Sequence, residues 1–211
     1  MQLQAIDYTS ATAQEDFVKS LRETGFGVLK NHPIQKTLVS AIYSEWQTFF
    51  NSEEKHNYLY NKGTQDGFFP PDVSETAKGH TKKDIKEYFH YYPWGQCPTD
   101  KKALLMQYYA EANTLASELL AWVEAHSPVD VAKHYSQSLS SMVDGSDQTL
   151  LRVLHYPPLK GDEELGAIRA GAHEDINLLT ILPSANEPGL QVKAKDGTWM
   201  DVPCDFGTLI V

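Results

Sequence analysis

His173 and Asp175 flank one residue in the stretch Ala172-His173-Glu174-Asp175, and an imidazole and a carboxylate at that spacing can share a metal ion. Side chains of an extended strand repeat every two residues, which predicts His173 and Asp175 on one face and Glu174 on the other. They are two of the three groups of a facial 2-His-1-carboxylate site. That site holds non-haem Fe(II) and leaves positions open for oxygen and substrate. With 8 His and 28 Asp plus Glu in 211 residues, chance supplies about one His-x-acid triplet. The pair therefore gains weight only from the elements that position it.

Composition narrows the class first. An apolar share of 41% with 22% charged residues describes a globular chain, long enough to bury a sizeable core. The net charge of −10 argues against a nucleic-acid or anionic-membrane surface, both of which need clustered Lys and Arg. Cys97 and Cys204 are far apart and fit no metal or redox spacing, so two free thiols in a reducing cytoplasm are expected, with a single disulfide as the alternative. The first residues, Met1 to Asp7, lack a basic and then apolar leader, and no apolar run reaches spanning length. The expectation is a soluble cytoplasmic protein.

The chain then divides by pattern. Leu3 to Ile6 reads as a strand, and Thr12-Ala13-Gln14-Glu15 has the form of a capping box ahead of Phe17, Val18 and Leu21. Gly25 suits a helix end, Phe26 to Leu29 a strand, and Pro33 the opening of a helix striped by Leu38, Val39, Ile42, Trp46, Phe49 and Phe50. From Tyr60 to Gly79 glycines and prolines mark a long loop that carries Phe68 and Phe69. Lys86 to Tyr92 reads as a strand, Leu104 to Trp122 as a long amphipathic helix, and a shorter helix follows Pro128.

After Asp144-Gly145 the pattern changes to strands and turns. Arg152, Leu154 and Tyr156 share one face of a strand, Val153 and His155 the other. Leu178–Leu182, Leu190–Val192, Trp199–Val202 and Thr208–Val211 read as short strands, with Asp196-Gly197 as a hairpin signal. Helices ahead of closely spaced strands indicate an α+β fold with a barrel-like or sandwich sheet. A structural role is expected for His155, a turn or packing role for His32, a packed core role for His90 and a strand ion pair for Arg152.

The ordered succession of Tyr156-Pro157-Pro158, His173-x-Asp175, Leu178-Leu179-Thr180, Gly189-Leu190-Gln191-Val192 and Asp196-Gly197-x-Trp199 resembles the Fe(II)/2-oxoglutarate-dependent dioxygenases of the isopenicillin N synthase-like family. Gly25-Phe26-Gly27-Val28, Asn31-His32, Phe49-Phe50, Glu54-Lys55 and Asp84-x-Lys86-Glu87 with Phe89 extend the resemblance over nearly the whole chain. It implies a double-stranded β-helix, or jelly roll, behind a helical N-terminal region. Residues 1–97 would form that region, and 98–211 the long helix and the first part of the oxygenase core, together one structural unit.

By the same resemblance His173 and Asp175 are the first two iron ligands, and Tyr156 lies near the carboxylate of 2-oxoglutarate or of the substrate. Leu154 departs from the asparagine that many plant members carry there. The family's second iron-binding histidine, and the arginine and serine that anchor 2-oxoglutarate, would come after the strand Thr208–Val211. The barrel is thus expected to be incomplete at the C-terminus, as in a piece of a longer polypeptide, and the fragment inactive. The implied partners are Fe(II), 2-oxoglutarate, molecular oxygen and a small-molecule substrate, with succinate and CO2 released. Two alternatives stand beside it: an iron-dependent oxidase of the same fold that does not use 2-oxoglutarate, and a non-catalytic binding module.

Overall fold

The structure is a computed structural model that describes residues 3–73, 82–185 and 187–211. Its helices form where apolar residues recur at helical spacing. Helix α1 (Ala13–Thr24) buries Phe17 and Val18 and stops at Gly25, whose φ of 82° lets its N–H reach Leu21 O at 2.8 Å. Thr12 does not close a capping box. Its φ of −101° and ψ of 4° are not the extended geometry that aims an N-cap hydroxyl at the helix amides, and Oγ1 donates instead to Asp16 Oδ2 at 2.8 Å. Helix α2 (Lys36–Phe50) begins three residues after Pro33, beyond a turn in which Asn31 takes φ 58°. Leu38, Val39, Ile42, Trp46, Phe49 and Phe50 are all buried on it. Helix α3 (Thr99–Ala125) buries Leu105, Tyr108, Leu115, Leu119 and Trp122, and the single-turn α4 (Val129–Ala132) follows Pro128.

Two compact units divide the chain, with boundaries inside α2 and α3. One comprises the chain up to Val39, Tyr108–Gly145 and Asn177–Val211. Its sheet pairs β1 (Ala5–Asp7) in parallel with β2 (Val28–Lys30). Two later strands, β6 (Leu182–Pro183) and β9 (Leu209–Ile210), complete the order β1-β2-β9-β6. Strands β7 (Gln191–Lys193) and β8 (Trp199–Asp201) form the hairpin that Asp196-Gly197 signals. Val192 faces Met200, and Gly197 turns with φ 88°. Leu3, Val28, Val192, Met200, Val202 and Ile210 make one core cluster of this unit. Gly27 sets a close approach there, since a Cβ on it would lie 2.6 Å from the Phe17 ring.

The second unit comprises Ser40–Gln107 and Ser146–Ile176. Its antiparallel sheet orders β3 (Gly67–Phe69), β4 (Glu87–Tyr91) and β5 (Leu151–His155). Phe68 and Phe69 are therefore strand residues paired with Phe89 and Tyr88, 0% and 5% exposed, rather than loop aromatics. The misreading has a plain cause: a three-residue strand is shorter than its flanking turns, and only β4 reveals it. The rest of the expected loop, residues 74–79, lies outside the described residues. Trp46 packs against Phe49 and Phe89 with ring centroids 5.0 and 4.8 Å apart.

Leu178–Thr180 are not in a strand. No strand among the described residues pairs with them, and Leu178 is 59% exposed. The described strands form three separate sheets and no closed barrel. No helix of the described residues is long and apolar enough to cross a membrane. Trp46→Ala should cost about 3–5 kcal/mol, read as a lower urea midpoint with an unchanged slope.

Candidate metal centre

The backbone just ahead of β4 fixes the segment that leads to His173. Ile85 N–H donates to Ile168 O at 2.8 Å, and Lys82 pairs with Glu164. Asp84 and Lys86 form a buried ion pair at 2.9 Å with side chains only 4% and 5% exposed. The other oxygen of Asp84, Oδ1, accepts the Gly171 N–H at 2.9 Å.

The Gly171 carbonyl lies 2.8 Å from His173 Nδ1. A carbonyl only accepts, so Nδ1 carries the hydrogen and donates, and the neutral ring keeps its lone pair on Nε2. A backbone carbonyl holding the far ring nitrogen in this way is the usual support of a metal-ligating histidine. Nε2 lies 3.7 Å from Asp175 Oδ1. Bonds of about 2 Å to each donor span that distance only at a wide angle, so the two donors face one another but stand wider apart than neighbouring ligands of a facial site. The pair is brought together, but not by a strand: residues 171–175 are irregular, and residues 172–175 include the exposed His173, Glu174 and Asp175. The segment lacks a paired neighbour strand among the described residues, and the alternation expected of a sheet does not apply to it. No cluster of three or more His, Cys, Asp or Glu that could hold a metal occurs among the described residues.

Tyr156 directly follows β5 and is 38% exposed. The strand that leads to it is firmly held on both faces. On one, Arg152 Nε donates to His90 Nε2 at 2.9 Å while the guanidinium covers the Tyr88 ring at 4.8 Å. His90 is buried and its Nδ1 donates to Gln65 O at 3.0 Å, so both ring nitrogens are engaged in packing the sheet. On the other, His155 Nδ1 meets Glu87 Oε1 at 2.8 Å and stacks on Phe50, while Lys55 reaches Glu87 Oε2 at 3.0 Å. His32 donates from Nε2 to Gly207 O at 3.0 Å, within the other unit. Asp84 stands out in the sequence only as part of a motif; its hold on Gly171 spans 87 positions and leaves no local signal.

The sequence profile of the N-terminal region of non-haem dioxygenases in morphine synthesis matches residues 2–112. That of the 2OG-Fe(II) oxygenase superfamily matches residues 147–211. A crystal structure of a candidate oxygenase from Shewanella oneidensis is 60% identical, with a TM-score of 0.89 over 100% of this chain and 74% of that one. A full-length Neurospora crassa protein, solved in complex with alpha-KG, shares the fold at 23% identity, with a TM-score of 0.79 over 99% of this chain and 71% of that one. Gibberellin 2-beta-dioxygenase 3 of Arabidopsis thaliana is 26% identical over 98% of this chain, which spans 63% of its length. The chain belongs to the Fe(II)/2-oxoglutarate-dependent dioxygenases of the isopenicillin N synthase-like type. Fe(II) and 2-oxoglutarate are that family's cofactor and cosubstrate.

Burial pushes the Glu87 carboxyl upward, but the hydrogen bonds and charges of His155 and Lys55 outweigh it and hold it below the usual carboxylate range. A depressed folded pKa gives stability that is present above the unfolded value of about 4.3 and lost as pH falls through the folded one. Glu87→Gln should therefore lower stability at neutral pH and flatten its decline on acidification, measured as urea midpoints from about pH 6 to about pH 3.

Proposed function

We propose that the complete protein is a non-haem Fe(II) oxygenase that couples oxidative decarboxylation of 2-oxoglutarate, giving succinate and CO2, to oxidation of a small molecule by oxygen. The observation that carries this reading is the His173–Asp175 pair, with the histidine tautomer set by Gly171, in a chain of this family. His173 would give a neutral imidazole nitrogen to the iron. Asp175 would give a carboxylate that offsets part of its charge, and Glu174 would stay outside the site. When bound, Fe(II) with 2-oxoglutarate supplies the oxygen activation. Tyr156 would donate its hydroxyl to the carboxylate of 2-oxoglutarate, on a strand end that the Glu87–His155 and Arg152–His90 contacts keep in place. The Neurospora crassa protein is solved with alpha-KG, and the Arabidopsis relative is named for its action on a gibberellin, which supports a small-molecule substrate.

Succinate formed from 2-oxoglutarate with Fe(II) tests the reading. His173→Ala and Asp175→Ala should each reduce it by more than about a hundredfold, and retained turnover would overturn the assignment. Oxygen uptake unaffected by omitting 2-oxoglutarate would favour the oxidase alternative. Tyr156→Phe should raise the KM for 2-oxoglutarate by about tenfold, as expected for a lost hydrogen bond to a charged group, with a smaller change in kcat.

A further inference from the structure

We infer that Asp84 is a positioning residue for the metal-binding pair, acting through the main chain of Gly171; this rests on the reading of His173 and Asp175 as metal ligands. A continuous path joins them. Lys86 Nζ holds Asp84 Oδ2 at 2.9 Å, Asp84 Oδ1 takes the Gly171 N–H at 2.9 Å, and the Gly171 carbonyl takes the His173 Nδ1–H at 2.8 Å. Both polar groups of Gly171 are thus engaged, one by the buried pair and one by the ligand itself.

The anchor matters because of what surrounds it. Glycine has the widest backbone freedom of any residue, so an untethered Gly171 would let its carbonyl swing and release the imidazole. No strand pairing among the described residues holds residues 172–175. The fixed points upstream are Gly171 and Ile168, both held from the Asp84–Ile85 backbone and side chain. Stability alone does not account for the ion pair, since a buried pair is often replaceable by apolar side chains at no loss. An apolar pair would leave the Gly171 amide without its acceptor. Asp84 touches neither metal nor substrate; it sets which nitrogen of His173 faces Asp175.

Two double variants of the full chain separate the hydrogen bond from the charge. Asp84→Leu with Lys86→Met removes the acceptor without stranding a charge. Asp84→Asn with Lys86→Met also removes the charges but keeps an oxygen for Gly171. The metal-free readout is the nitrogen-15 spectrum of histidine, in which His173 is assigned by its loss in His173→Gln. The leucine variant should turn a single Nδ1–H tautomer into a mixture and weaken Co(II) binding about tenfold or more. The asparagine variant should retain both. Identical tautomer and Co(II) affinity in the two variants would overturn the inference. Amide exchange in the unaltered protein gives a check that needs no variant: Gly171 N–H should be protected, and exchange at the rate of an open loop would also overturn it. If His173→Gln binds Co(II) as tightly as the unaltered protein, the metal reading fails, whereas the tautomer result stands or falls separately.

Discussion

A strand with neighbours on both edges and side chains buried on both faces must find an internal partner for every polar group it carries, because water cannot supply one. Strand β4 is under that constraint, with all five of its residues buried between β3 and β5. Glu87 and His90 answer it in opposite directions. Glu87 collects Lys55 and His155 on one face, and His90 collects Arg152 and the Gln65 carbonyl on the other. Each solution ties β4 to β5 and thereby to Tyr156. The residues just ahead of the strand obey the same rule, where buried Asp84 uses Lys86 and the amide of Gly171.

What the sequence displayed depended on how local each determinant is. The stripe on α2, the left-handed Gly25 and the Asp196-Gly197 hairpin are written within a few residues, and they stand where their patterns place them. The three aromatic strand formers of β4, Tyr88, Phe89 and Tyr91, were equally legible. Phe68 and Phe69 were hidden because their strand exists only through its pairing with β4. The stretches Ala172–Asp175 and Leu178–Thr180 failed in the reverse sense. Their pattern suggests a strand, but a pattern becomes a strand only when another edge meets it. The capping motif at Thr12 shows the same dependence at shorter range, its hydroxyl being drawn to Asp16 by the backbone angle.

The candidate centre was half legible for a related reason. The two residue types proposed as ligands and their spacing are sequence facts, and the ordered motifs around them give the family. The features on which that proposal rests are not sequence facts: the hydrogen on Nδ1, and the 3.7 Å from Nε2 to Asp175. The first arises from a glycine carbonyl two residues away, and the amide of that glycine is held by a carboxylate 87 positions back.

The contact between Gly27 and Phe17 carries a different lesson. The spacing of α1 from the backbone leading into β2 is set by an atom that glycine lacks, since the first carbon of any other side chain would sit 2.6 Å from the aromatic ring. Volume added at position 27 must therefore be taken from position 17. A larger residue at 27 becomes admissible only together with a smaller one at 17, so a relative with a side chain at 27 should carry a smaller residue at 17.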